Sequence, residues 1–254
     1  MPMRIVRFKI ETHISYGVVE NQIVKQLKGT PFAAIRYTGQ SFCLSDVKLL
    51  APCCPSKIVA IGLNYKSHAA ELKYDLPESP LMFLKPSTAV IGHGDDIIYP
   101  AISKQVDFEG ELGIVIGKRA HIVPTDDAFK YVFGYTCFND VTARDLQKKD
   151  GQWARAKGFD TFAAVGPWIE TKLDTSALEL ETRLNGELRQ SGNTANLIFP
   201  VAELVSAVSQ VMTLLPGDII ASGTPAGIGA MQESDEVEVK IEGIGSLLNI
   251  VRCR

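Results

Sequence analysis

The stretch DFEGELGIVIG, residues 107–117, restricts the fold more than any other part of this 254-residue chain. As a strand it puts Phe108, Gly110, Leu112 and Ile114 on one face and Asp107, Glu109 and Glu111 on the other. Alternate residues on one face sit roughly 6–7 Å apart, so three like charges repel one another. The second half, LGIVIG, is apolar on both faces, the mark of an interior strand rather than a wet edge. Three arrangements relieve the repulsion: solvation, pairing with Lys or Arg, or a shared cation. Solvation is the common fate of acidic side chains, but an interior strand argues against it. YVFGYTCFND (131–140) is the other long strand, and it delivers Asp140 after an apolar run. Acids therefore sit on two β elements that can lie side by side. Two Glu and one Asp form an all-oxygen set, which suits Mg2+, Mn2+ or Ca2+ rather than Zn2+.

Hydrophobic residues make up 46% of the chain, charged residues 22%, and the net charge is −3. That is the balance of a soluble globular protein. No basic stripe points to nucleic acid, and no apolar run approaches the ~18 residues that suggest a membrane span. The N-terminal alternation has no signal-peptide core. Five cysteines (Cys43, Cys53, Cys54, Cys137 and Cys253) are an odd number without zinc spacing. They fit a reducing cytoplasm, as small apolar residues.

Strands are expected at 3–10, 14–19 and 32–37, followed by the Pro-punctuated linker LLAPCCPSK (49–57). This divides the chain into a small N-terminal β subdomain, 1–52, and a main domain, 53–254. NYKSHAAELKY (64–74) reads as a short polar helix opened by Asn64, and VTARDLQKKD (141–150) as a helix after Asp140. Pro124-Thr125-Asp126 starts a helical turn. Asn185-Gly186 between alternating runs is the strongest hairpin signal. PVAELVSAVSQVMTL (200–214) is the best helix, with Val201, Leu204, Val205, Val208, Val211 and Met212 in one apolar stripe behind Pro200. KIVAIG, LMFLKP, STAVIG, GDIIASG, DEVEVKIEGIG and SLLNIV supply further strands and extended pieces. The sum is a β-dominated α+β fold, a mixed β-roll or barrel-like sheet rather than a doubly wound one.

The segments GLNYKSHAAEL, FLKP, DFEGELGIVIG, GYTCFNDVTARD, AKGFDTFAAVGPW, LNGELRQSGNT and GDIIASGTPAGIG occur in an order that resembles the fumarylacetoacetate hydrolase family, over residues ~57 to 254. The resemblance implies the mixed β-roll of that family's C-terminal domain, a homodimer, and Mg2+ or Mn2+. It implies a metal site of Glu109, Glu111 and Asp140, the E-x-E pair and the later Asp. Asp107 then lies in support of that site, at its rim, or simply on the surface. An H-x-x-E pair on a lid helix corresponds to His68 and Glu71, whose i, i+3 spacing puts both on one face. Lys157 in AKGFDTF resembles the family lysine near metal and substrate. Arg144 and Gln152 match positions that hold a substrate carboxylate or keto group. Thr224 resembles a hydroxyl-plus-backbone donor to substrate, while Tyr65 and Lys85 are weaker matches that line the pocket.

Family substrates are small 2-keto or 2,4-diketo acids. The implied reaction is metal-dependent hydrolysis of a C–C bond in an acylpyruvate-type substrate through a metal-stabilised enolate, with His68, oriented by Glu71, as water base. Isomerisation of a hydroxyhepta-dienedioate type in aromatic catabolism and oxaloacetate-type decarboxylation remain open. So does a metal-binding scaffold without turnover.

Overall fold

The computed structural model describes residues 2–72 and 75–253. Its centre is a 12-stranded sheet. In space the strands run Tyr37–Cys43, Ile23–Leu27, His13–Glu20, Arg4–Ile10, Ala163–Glu170, Val132–Asp140, Gly110–Ile116, Ile219–Ala221, Ile58–Gly62 and Leu81–Lys85. Lys48–Leu50 pairs with Arg4–Ile10, and Val90–Ile91 with Ala163–Glu170. The strand order has two free ends, so the roll stays open and forms no closed barrel among the described residues. A five-stranded sheet packs against it, in the order Glu187–Asn193, Glu179–Leu184, Glu236–Ile241, Gly245–Cys253 and Asp96–Tyr99. Leu112, Ile114 and Ile116 meet Leu180, Val239 and Leu247 across the gap between the two sheets. A third, three-stranded sheet joins Thr142–Ala143, Val106–Phe108 and Gly229–Ala230.

DFEGELGIVIG is not one strand. Val106–Phe108 belongs to the three-stranded sheet and Gly110–Ile116 to the large one, with the change of sheet at Glu109. Gly110 makes the change possible: a Cβ there would strike Thr182 Oγ1 at 2.1 Å. Every residue from Gly110 to Ile116 is buried, as the two-faced apolar pattern requires.

The N-terminal strands differ from expectation: Ile23–Leu27, Tyr37–Cys43 and Lys48–Leu50 are strands beyond the expected set, the last running into the expected linker. FAAIRY, 32–37, is not a strand; Phe32 turns inward and packs edge-on against Phe133, ring centroids 4.9 Å apart. Ile23–Leu27 takes its place in the sheet. The Arg4–Ile10 strand pairs with the large sheet at Arg4 and Ile5, opposite Glu170 and Ile169, so residues of both segments share one core cluster.

Among the described residues four α-helices complete the fold: α1 Lys66–Leu72, α2 Arg144–Asp150, α3 Ala154–Lys157 and α4 Val201–Val211. None of the described helices is long and apolar enough to cross a membrane. Lys73 and Tyr74, the end of the expected polar helix, lie outside the described residues. Asn64 does not cap α1. Its side chain donates to Ser222 O (2.7 Å) and Phe199 O (3.1 Å) and accepts from Phe199 N–H (2.8 Å), tying three segments together. In α4 the apolar stripe ends at Val208; Val211 is 66% exposed and Met212 lies beyond the helix. The Asn185-Gly186 hairpin forms as expected, with φ of 54° and 80° at the two turn residues.

Candidate metal and catalytic site

The acidic residues meet because of strand register. Gly110 pairs with Asn139 and Glu111 with Phe138, and Asp140 N–H donates to Glu109 O at 2.8 Å. Carboxylate oxygens of Glu109, Glu111 and Asp140 thereby come within 4.8 Å of one another, all three side chains buried.

Four carboxylates in one interior need countercharge. Lys157, at the end of α3, donates to Glu109 Oε2 (2.8 Å) and Asp140 Oδ2 (2.6 Å). Lys85, completely buried, donates to Asp140 Oδ1 and Val141 O. Arg144, first residue of α2, donates through Nε to Asp107 Oδ2 (2.8 Å), through Nη2 to Glu109 and through Nη1 to Gln147 (2.6 Å). Asp107 is therefore no surface acid. It is buried, held also by Gln105 (3.0 Å), and fixes Arg144.

The charges are unevenly shared. Burial pushes the Glu109 carboxyl up, but Lys157 and Arg144 outweigh it and hold the group well below the carboxylate range. Burial likewise works against the charge on Lys157, yet Asp140 and Glu109 raise it above the usual lysine value. Lys85 is lowered, because burial exceeds the pull of Asp140. Glu111 makes no ion pair among the described residues, Lys157 acting on it only from a distance, and it accepts one N–H, from Gly223, at 2.8 Å. Burial first, then Asp140 and Glu109, raise it well above the carboxylate range. The cluster thus lacks one positive partner, and it lacks it at Glu111. The donors are all oxygen, and each carboxylate oxygen has two lone pairs, so those engaged by Lys or Arg keep one for an ion. The residues fit Mg2+, Mn2+ or Ca2+.

These acids form the floor of a cavity of about 400 Å3, a usual size for a small-ligand pocket. Lys157, Arg144 and Thr224 also line it; Leu81, Phe83 and Trp153 form an apolar wall. Phe83 and Trp153 pack edge to face at 5.1 Å, and a Cβ at Gly62 would meet the Trp153 ring at 2.9 Å. His68 of α1 lines the cavity, its Nδ1 3.0 Å from Glu71 Oε2. A carboxylate only accepts, so Nδ1 carries a proton, and in the neutral imidazole Nε2 is the basic nitrogen. Glu71 Oε1 accepts the Gly227 N–H at 3.0 Å, which ties α1 to the loop after Thr224.

The structure thus brings Glu109, Glu111, Asp140, Lys157, Arg144, His68 and Thr224 to one cavity, with Glu71 behind His68. Four expectations change in detail. Gln152 is exposed and does not contribute to the lining; Gln147, one helical turn after Arg144, does. Lys85 sits behind Asp140 and outside the cavity wall. Tyr65 is buried beside Glu111 without lining the cavity, and its hydroxyl has no partner among the described residues. Burial and the Glu111 charge raise that phenol. Thr224 Oγ1 donates to Gly110 O (2.8 Å) and accepts from Gln190 Nε2 (2.7 Å), so its proton serves the fold and is not offered to a ligand. Gln147 was legible from its i, i+3 spacing to Arg144. Gln190 gave no such signal, since it acts from a strand of the other sheet.

Comparison with known proteins agrees with this geometry. The Rv2993c-like N-terminal family matches residues 3–52. "Oxaloacetate tautomerase YisK" of Bacillus subtilis is 44% identical, over 82% of this chain and 75% of its own length. The crystal structure of 5-carboxymethyl-2-hydroxymuconate delta-isomerase from Mycobacterium smegmatis superposes with TM-score 0.94 at 45% identity, covering 99% of this chain and 100% of that one. Maleylpyruvate hydrolase from Sphingobium sp. SYK-6, solved with manganese(II) and pyruvate, gives 0.83 at 30% identity, covering 99% of both chains. The "Fumarylacetoacetate (FAA) hydrolase C-terminal" family matches residues 57–252, and this chain is a member of the fumarylacetoacetate hydrolase family.

Proposed function

We propose that the protein is a divalent-metal-dependent enzyme that moves a proton between carbon and oxygen in a small 2-oxo acid, as a tautomerase or isomerase. One observation carries this reading: three carboxylates converge within 4.8 Å on the floor of a cavity whose wall holds His68 with a free Nε2. Glu109, Glu111 and Asp140 would hold a divalent ion such as Mg2+ or Mn2+, which would supply Lewis-acid polarisation to acidify a C–H next to a 2-oxo group. Glu71 holds the imidazole, and His68 Nε2 takes the proton at C3 and returns it elsewhere. Lys157 uses two of its three N–H donors on Glu109 and Asp140 and turns the third toward developing oxygen charge. Arg144 uses three of five, leaving two for a substrate carboxylate beside Gln147. The names of the tautomerase and isomerase relatives, at 44% and 45% identity, support this reading.

Hydrolysis of a 2,4-diketo acid of acylpyruvate type is the second reading. The same Nε2 takes a proton from water equally well, and the relative solved with manganese(II) and pyruvate is named a hydrolase. A panel of oxaloacetate, hydroxy-dienoates and acylpyruvates, followed by enol absorbance with Mg2+ or Mn2+, tests both. Accelerated absorbance change at constant mass is expected. Products one water heavier and split assign hydrolysis, and loss of CO2 assigns decarboxylation. No metal-dependent change with any substrate overturns the enzymatic reading in favour of a metal-binding scaffold.

A further inference from the structure

A second cavity, of about 260 Å3, lies where the N-terminal strands meet the large sheet. Arg7 is its notable residue. In the Arg4–Ile10 strand, Val6 and Phe8 face a cluster with Val24 and Val47. Ile5 faces the opposite cluster, with Val115, Phe138 and Val165. Alternation puts Arg7 on the Ile5 face, and strands pair on both sides of it, at Tyr16 and at Leu50. This is a core position of a sheet, and its half-buried guanidinium brings a positive charge to the cavity lining.

The fold does not match it. Among the described residues no carboxylate pairs with Arg7 and no side chain or carbonyl accepts its N–H groups. The cavity's carboxylate, Asp95, is engaged on both oxygens, by Lys48 Nζ (2.8 Å) and Gly92 N–H (2.9 Å). Nor do the nearby hydroxyl and thiol ionise to serve. Burial and the two cysteines push the Tyr16 phenol up to about 12, and burial raises the Cys53 thiol. The cavity is also built rather than incidental. A side chain at Gly92 would strike the Ala51 backbone nitrogen at 2.5 Å, so the two segments press together along its wall.

We infer that this cavity is a binding site for a small oxyanion, a phosphate or a carboxylate, held by the Arg7 guanidinium in a lining that also includes Ser87. The forked N–H groups of arginine match two oxygens of either anion, and the anion supplies a countercharge to a guanidinium that Asp95, paired with Lys48, does not contact. The site is separate from the acid cluster and does not depend on the proposed reaction. Its Ser87–Gly92 wall continues from Lys85, the residue behind Asp140.

Thermal melting of the metal-loaded protein tests this. Wild type, Arg7→Met and Ser87→Asp are compared in phosphate, pyruvate and chloride at equal ionic strength. Wild type should gain about 2–4 °C at saturating anion over chloride. Both variants should lose that gain, one by removing the fork and the other by placing a carboxylate in the cavity. Pyruvate also meets the catalytic cavity, so only the part of its shift that the variants abolish counts. A variant-sensitive shift with phosphate alone, or with pyruvate alone, identifies the source of the oxyanion. Equal shifts in all three proteins, or no shift in wild type with either anion, overturn the inference. Should Arg7→Met fail to fold, Ser87→Asp decides, since Ser87 is exposed.

Discussion

Asp218 and Glu111 are both fully or almost fully buried carboxylates on neighbouring strands, yet they are treated in opposite ways. Asp218 accepts from Ser56 N–H (2.8 Å), Ser56 Oγ (2.7 Å), Lys57 Nζ (2.6 Å) and Leu215 N–H (2.8 Å). It clamps the starts of two parallel strands, Ile58–Gly62 and Ile219–Ala221. Burial pushes its carboxyl up, but Lys57, Leu215 and Ser56 bring it below the usual range. Glu111 receives one N–H and faces two other acids. A saturated carboxylate stabilises the fold, whereas an unsaturated one is a cost that persists because something outside the chain completes it.

The contrast is sharpest at Glu111→Gln. Activity should fall by at least about 10^4-fold with loss of a metal ligand, while the metal-free protein melts higher than wild type because a like charge has gone. A lower melting temperature without metal would break the comparison. Glu109→Ala is the less clean test, because it takes one of two carboxylate partners from both Arg144 and Lys157. Asp218→Ala should do the reverse of Glu111→Gln. Denaturant unfolding should show a loss of about 3–5 kcal/mol, with turnover per folded molecule unchanged. His68→Ala should lower kcat by about 10^2-fold or more and shift melting by under a degree or so, since its exposed hydrogen-bond partner, Glu71, keeps the Gly227 contact. An unchanged kcat would remove His68 from the chemistry.

The smallest effect is in pH. The folded pKa of Asp218 lies below its unfolded value of about 3.9, so its contribution is complete above that pH and is lost as pH falls through the folded value. Glu111 has the opposite sign. From about pH 4.3 upward the unfolded chain releases a proton that the folded chain keeps. Stability of the metal-free protein then falls by up to about 1.4 kcal/mol per unit until Glu111 ionises. Urea midpoints of metal-free wild type should decline above pH 5, and those of Glu111→Gln should be flatter. Parallel slopes would mean that Glu111 is not the strained group.

The sequence shows the acids but not what surrounds them. Glu109, Glu111 and Asp140 stand out because alternation in an apolar run is a local pattern, and the family resemblance singles them out as a set; His68 with Glu71 is legible only through that resemblance, since an i, i+3 pair on a polar helix is common. The change of sheet at Glu109 is hidden, since its cause is the approach of Thr182 to Gly110 from a strand far along the chain. The role of Asp107 is hidden for the same reason: Arg144, its partner, is 37 residues away. The choice of Gln147 over Gln152 turns on which residue is still helical when the chain passes the cavity, and α2 ends at Asp150. Alternation misleads at FAAIRY because Phe32 is drawn to Phe133.

Leu81–Lys85, at one end of the large sheet, has an evolutionary consequence. The interior strands that bear the three acids cannot slip by a residue without turning every side chain to the wrong face, so that end of the cavity is inherited whole. The opposite wall comes from an edge strand, through Leu81 and Phe83, and from the turn at Trp153. Those positions can be exchanged one at a time without touching the acids. The apolar wall of the cavity can therefore be reshaped while the strand register that gathers the acids stays fixed.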